Sequence, residues 1–201
     1  MRSRAAEFGL RTSQGEWLRT TASVWTLDLE SELLFIGDAG ATEASGRTRR
    51  IGVTMSNYCK PVSTLSVDTD VSFTRAQFAD VSSDADRIPG ALERVITAGA
   101  TWEPVRGVHA AARVRRFGSS ALVEDNSVRE TPTTLLNLSV GGSLRGRRLT
   151  ASVLNVGSAR SSDMQYCYAS RLAGESGSGV ADVHFYPVEP RALRVGISCG
   201  F

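Results

Sequence analysis

A period of two runs through this chain, and it narrows the fold further than any other feature. The final stretch shows it plainly. Leu193, Val195, Ile197, Cys199 and Phe201 are apolar, while Arg194, Gly196, Ser198 and Gly200 between them are small or polar. Successive side chains of a strand point to opposite faces, so this spacing gives a strand with one apolar and one wet face. The pattern recurs at Leu65, Val67, Val71 and Phe73, at Ile96, Ala98, Ala100 and Trp102, and at Val108, Ala110, Ala112 and Val114. It recurs again at Leu136, Leu138 and Val140 and at Leu149, Ala151 and Val153. Less regular strands are expected at about 5–13, 17–29 and 48–59, giving about nine in all. In the 17–29 segment the apolar parity changes between Val24 and Trp25, which makes its face ambiguous and leaves a bulge as one option. No helix of ordinary length is expected.

The connections alternate in length. Short ones fall near Ser13–Glu16, Lys60–Ser63, Glu103–Gly107 and Arg145–Arg147, and long ones at roughly 30–47, 79–91, 118–131 and 157–190. In an up-and-down sheet this puts every long loop at one end. The expected fold is therefore all-β: an antiparallel up-and-down sheet, forming a single unit over 1–201. Membrane barrels have this asymmetry, with short turns on one side and long loops on the other. A soluble β-barrel or β-sandwich that binds a small ligand is the alternative, because parity alone does not say which face points inward. Trp17, Trp102, Phe117 and Phe201 lie near strand ends, as the aromatic girdles of a membrane barrel do.

Composition excludes some classes. The net charge is +2, with 23 basic and 21 acidic residues, which makes no electrostatic case for nucleic acid. Lys60 is the only lysine among the bases. No apolar run reaches the roughly 18 residues of a membrane helix, which leaves a barrel open. Met1-Arg2-Ser3-Arg4-Ala5-Ala6-Glu7 carries positive charge without a following apolar stretch, so no secretory signal is read in it. Cys59, Cys167 and Cys199 form no metal or disulfide spacing.

Chemistry-bearing motifs are sparse. There is no Gly-x-Ser-x-Gly elbow, no His-Glu-x-x-His and no Cys-x-x-Cys, so no enzyme, metal or cofactor is expected. Gly174–Gly179 reads as a flexible loop and not as a phosphate cradle. Asp68, Asp70, His109, Arg113, Arg115 and Arg194 share the polar parity of their strands and are expected to be solvated. His109 is the one strand-borne candidate for a catalytic base in a barrel enzyme. His184 is expected to pack within its loop. Glu124, Asp125, Asn126 and Arg129 lie together in a long loop and are candidate ligand contacts.

Particular stretches carry a resemblance. Arg194, Gly196, Cys199 and Phe201 match the spacing polar-x-Gly-x-x-apolar-x-aromatic, which is similar to the signal read by the outer-membrane barrel-assembly machinery. Asp28–Gly40, Asp86–Ala91, Glu124–Arg129 and His184–Arg191 resemble loop segments of TonB-dependent outer-membrane receptors, over nearly the whole chain. The next-to-last strand departs from that family. Leu154-Asn155-Val156-Gly157-Ser158 keeps an Asn but lacks the aromatic and acid that commonly follow it, a difference that bears on how the loop is anchored.

The resemblance implies the C-terminal part of a transmembrane β-barrel, located in the outer membrane of a Gram-negative bacterium. It implies outer-membrane lipid, the assembly machinery and a small nutrient, such as a siderophore or metal complex, as partners. Coupling to the TonB complex would run through an N-terminal plug and box that these 201 residues do not contain. The chain is accordingly expected to be a fragment that transports nothing alone. Asp68, Asp70, His109, Arg113 and Arg115 would then face the barrel lumen.

Overall fold

The computed structural model describes residues 2–36, 41–144, 146–175, 177 and 179–199. Phe201 and Gly200 lie outside the described residues, so the placement expected for the closing aromatic is not addressed. Gly37–Gly40 lie outside them too.

Among the described residues thirteen strands form: β1 (Ser3–Gln14), β2 (Leu18–Leu29), β3 (Leu33–Ile36), β4 (Ala41–Ala44), β5 (Thr48–Val62), β6 (Leu65–Phe78) and β7 (Arg94–Trp102). They continue as β8 (Val108–Phe117), β9 (Thr133–Leu144), β10 (Arg147–Leu154), β11 (Ser162–Ser170), β12 (Val180–Pro187) and β13 (Ala192–Cys199). Nine of them build one antiparallel sheet in the order β1-β2-β5-β6-β7-β8-β9-β10-β13. Chain neighbours are sheet neighbours once two hairpins, β3–β4 and β11–β12, are set aside. These hairpins occupy two segments that the sequence reads as plain loops.

Tight turns close one end of the sheet. Lys60 N donates to Trp17 O at 2.6 Å, and Glu103 N donates to Thr64 O at 2.7 Å, linking adjacent turns. The long connections and both hairpins gather at the other end. Because the strands alternate direction and number nine, β1 and β13 run the same way. Among the described residues these two edges do not pair with each other.

β2 has no bulge, the option its parity change left open. Its pairing with β1 and with β5 is unbroken from Leu18 to Leu29. The parity change has another cause. Trp25 lies on the polar face, and its indole ring covers Gly52, directly opposite on β5. Only a residue without Cβ leaves that space. Leu27 and Leu29 follow on the same face, toward the long loops.

The packing is inverted relative to a water-soluble sheet. Among the described residues the few buried apolar ones are Ala76, Ile88, Ala121, Leu122 and Val188, and four of these five belong to the long loops. Loops 79–93 and 118–132 dock there through Gly90 N donating to Ala121 O (2.8 Å) and Arg87 N donating to Glu124 O (3.1 Å). The sheet itself has almost no apolar core.

Candidate functional site

The site is the nine-stranded wall, and the pairing register defines its two faces. Phe8, Val24, Val53 and Phe73 stand opposite one another across β1, β2, β5 and β6. Ala112, Leu138, Val153 and Leu193 do so across β8, β9, β10 and β13. One continuous face of Ala, Val, Leu, Ile and Phe results. That face is open: Phe8 is 78% exposed, Val195 70% and Ile197 69%. The opposite face is the more enclosed one. Along β5, Thr48 and Gly52 are buried and Arg50 and Thr54 partly screened, while Arg49, Ile51, Val53 and Met55 of the other parity are exposed. Along β9, Leu135, Asn137 and Ser139 are partly screened while Leu136, Leu138 and Val140 are exposed. Sequence parity leaves the direction of the apolar face open; the alternation along β5 and β9 favours outward. About 0.8 kcal/mol per CH₂ makes so broad an exposed apolar face untenable in water.

Three polar side chains on the apolar face pair with one another. Thr20 Oγ1 donates to Asn57 Oδ1 at 2.8 Å, and Asn57 Nδ2 donates to Thr69 Oγ1 at 3.4 Å. All three lie toward the short-turn end. Hydrocarbon offers no partner to a polar group, so such pairing is what a lipid-facing surface requires. Trp102 stands on this face at its short-turn edge, 52% exposed, where an aromatic girdle would be. Phe117 does not; its parity puts it on the enclosed face, opposite Val95 and Thr133.

The enclosed face carries every strand residue expected to be solvated. Asp68, Gly99, Arg113 and Asn137 form one row, and Asp70, Thr97 and Arg115 the next. Arg113 Nη2 reaches Asp68 Oδ1 at 3.4 Å across Gly99. Asp70 accepts from Ser56 Oγ (2.6 Å) and from Thr97 Oγ1 (3.2 Å). Gly99 is what permits the Asp68–Arg113 pair, because a Cβ there would stand 2.6 Å from Asp68 Oδ1. Gly99→Val is therefore expected to break that pair and to cost about 1–3 kcal/mol through overpacking. The thermal midpoint of the detergent-folded chain, read by heat-dependent gel mobility, checks this.

His109 also lies on this face, its ring over Gly141. Among the described residues no hydroxyl is hydrogen-bonded to it. Arg194 of β13 pairs with Glu189 at 3.2 Å, next to the loop, and Gly196 leaves room for Thr150 Oγ1. Cys199 falls on the apolar face opposite Arg147. The three cysteines are free. No described group of three or more His, Cys, Asp or Glu side chains could hold a metal ion.

The rim loops are held by specific anchors. Arg129 donates from Nη2 to Glu93 Oε2 (2.7 Å) and to Ser119 O (3.0 Å), and from Nη1 to Asn126 Oδ1. It thus ties loop 79–93 to loop 118–132. Asp125 accepts from the hydroxyl of Ser127 (2.7 Å) and from its N–H (3.0 Å). These bonds hold its carboxyl below the usual carboxylate range. Their contribution to loop order is present above the unfolded-state value and is lost as pH falls through the lowered one. Glu124, Asp125 and Asn126 are exposed at the rim.

Asn155 anchors the last long loop at its root, and Thr133 and Gln165 tie it further along, to Ser161, Ser162 and Thr131. Asn155 is 4% exposed, with φ at +47°. Its Nδ2 donates to Ala159 O and Glu189 O, both at 3.0 Å, and its Oδ1 accepts from Ala159 N at 2.8 Å. The aromatic and acid absent after Asn155 are not needed for this. Above it, His184 stacks on Tyr168 across the β11–β12 hairpin, ring centroids 3.9 Å apart.

An outward apolar face, a polar inner face, tight turns at one end and packed loops at the other define the wall of an antiparallel membrane barrel. Solved structures agree. The chain superposes on the ferric-catecholate import receptor Fiu from E. coli K12 with a TM-score of 0.71, at 18% identity. The match covers 99% of this chain and 27% of that receptor. The ferric yersiniabactin uptake receptor FyuA from Yersinia pestis gives 0.70 at 19% identity, over 97% and 29%. The copper transporter OprC gives 0.70 at 17%, over 99% and 31%. No protein-family model and no curated protein matches the sequence. These solved structures are TonB-dependent receptors, and the chain has the fold of a contiguous part of their barrel, spanning under a third of their length.

Proposed function

We propose that this chain is part of the barrel wall of an outer-membrane uptake receptor. The observation that supports this best is the apolar face held in register across nine strands, whose residues along β5 and β9 are exposed in alternation with screened positions on the other side. The topology fits as well. With β1 and β13 running the same way, an all-antiparallel barrel closes only through an odd number of further strands. That brings the total to the even count usual in bacterial barrels.

In this reading Asp68, Asp70, His109, Arg113 and Arg115 line the lumen. Glu124, Asp125 and Asn126 stand at the extracellular rim, where a nutrient such as a ferric siderophore or another metal complex would first be met. Arg129 holds their loop in place. The assembly machinery reads the end of β13, with Arg194 and Gly196 on its polar face, Cys199 on its apolar face and Phe201 beyond. Coupling to TonB belongs to the rest of such a receptor. The chain is assigned no catalysis.

The test is partition. The urea-solubilised chain is diluted into phosphatidylcholine vesicles and floated on a density gradient. Flotation with β-sheet circular dichroism and resistance to alkaline extraction is expected. A folded, water-soluble monomer left at the bottom of the gradient would instead favour the soluble ligand-binding module.

A further inference from the structure

The long-loop edge of the apolar face carries arginines that neither the lumen nor the rim loops use. By register, Ile51 faces Arg75, Phe73 faces Arg94 and Ile96 faces Arg116, so all three arginines project from the outward face just above its apolar part. They line a cleft of about 590 Å³ whose floor includes Ile51, Val53 and Phe73. Arg87 and Arg129 reach its far wall from the loops, against a single lining carboxylate, Glu93. Glu93 is already occupied, by Arg129 at 2.7 Å and Arg87 at 3.8 Å. Arg75 lies 3.8 Å from Asp86.

Arg94 and Arg116 are different. Arg94 lies over the Phe73 ring, 5.5 Å from its centroid, and Arg116 Nη1 donates to Thr134 Oγ1 at 2.9 Å. Among the described residues neither has a carboxylate within ion-pair distance, and both are exposed. Guanidinium groups bordering an apolar floor match a ligand with a phosphate head and acyl chains. Arginine's planar fork binds phosphate in a two-point geometry, and near hydrocarbon its stem lies along the apolar surface with the head at the interface.

We infer that this cleft seats a phosphate-bearing membrane lipid of the leaflet on the long-loop side, its phosphate between Arg94 and Arg116 and its acyl chains along Ile51, Val53 and Phe73. The inference rests on the membrane reading above. The occupant is a lipid, because Ile51, Val53, Phe73, Arg75, Arg94 and Arg116 of its lining all belong to the apolar face.

The test uses the full chain in phosphatidylcholine vesicles doped with phosphatidic acid, extracted into mild detergent and weighed by native mass spectrometry. Retention of phosphatidic acid is expected, with diacylglycerol of the same chains not retained. Arg94→Gln/Arg116→Gln is expected to lower occupancy roughly tenfold or more, as loss of charge-assisted hydrogen bonds implies. Arg160→Gln/Arg171→Gln, of equal charge change in loop positions, is expected to leave it unchanged.

Equal retention of diacylglycerol, an unaffected Arg94/Arg116 variant, or displacement by millimolar inorganic phosphate would overturn the inference. If the double variant loses its β-sheet signal, the three wild-type arms decide alone. Failure to float with pure phosphatidylcholine contradicts the membrane reading itself. Flotation without preference for phosphatidic acid contradicts only the lipid site.

Discussion

Leu138→Arg is expected to destabilise the membrane-inserted chain by about 2–4 kcal/mol, the cost of a basic side chain on the lipid face near the bilayer centre. Leu138 stands midway along the apolar row of β9, between Leu136 and Val140, with Ala112 and Val153 opposite it on the neighbouring strands. Its side chain is 41% exposed, so the substitution gives up only part of a side chain's packing. The neighbouring substitution Ser139→Arg puts the same charge one residue along, on the polar face beside Ala111 and Ser152. It is expected to cost well under about 1 kcal/mol, since a lumen side chain stays hydrated. Urea titration of folding into phosphatidylcholine vesicles measures both. The asymmetry between two adjacent positions matters more than either value. A soluble sheet with solvent on both faces would tolerate the two changes alike.

The second large effect is expected at Asn155. Asn155→Ala removes three part-buried hydrogen bonds to the backbone and places a Cβ-bearing residue without local polar compensation at positive φ. With about 1 kcal/mol per hydrogen bond and about 1 for the backbone, the loss is about 3–4 kcal/mol. The effect is local before it is global. Segment 157–190, with the β11–β12 hairpin, should become cleavable by protease while the nine-stranded sheet keeps its circular dichroism. Asn155→Gly separates the two contributions, because it tolerates the backbone angle and loses only the hydrogen bonds. Its cost is expected to fall about 1 kcal/mol below that of Asn155→Ala. Equal protease resistance in all three proteins would show that the loop is held elsewhere.

The sheet was readable in the chain because its physics is periodic. In Val108–Val114 or Leu136–Val140, every second residue answers to the same surroundings, so spacing alone reports the strand. The short turns were readable for a related reason, since Gly15, Gly107 and Gly146 take the positive φ that tight connections need. The inward or outward sense of the apolar face was not readable, because a soluble barrel and a membrane barrel share the same alternation. It needed the exposure of Val53 against the enclosure of Gly52 and Thr54.

The loops were the least legible part. Ile88, Ala121 and Leu122 form a small core from irregular segments, where no period marks a buried residue. The β11–β12 hairpin hides its alternation. Tyr166 and Tyr168 share one face, while Gln165 and Cys167 on the other contrast with them only weakly. The Trp25 parity change left a bulge open because Gly52, the partner that accommodates the indole ring, lies 27 positions away in sequence. The rim arginines Arg75, Arg94 and Arg116 carried no motif. They become a group only when the register lines their strands up.

The most direct test of the central claim is a spin-label scan of β9. Cys59, Cys167 and Cys199 are first replaced by Ala, and single cysteines are then placed from Leu135 to Val140 in the vesicle-inserted chain. Labels at 136, 138 and 140 are expected to relax faster with oxygen, which concentrates in lipid. Labels at 135, 137 and 139 are expected to relax faster with a water-soluble nickel chelate. The same alternation should hold from Ile51 to Met55, with Ile51, Val53 and Met55 on the lipid side. Reagent preference without a period of two, or nickel access at 136, 138 and 140, would contradict an outward, lipid-facing apolar wall.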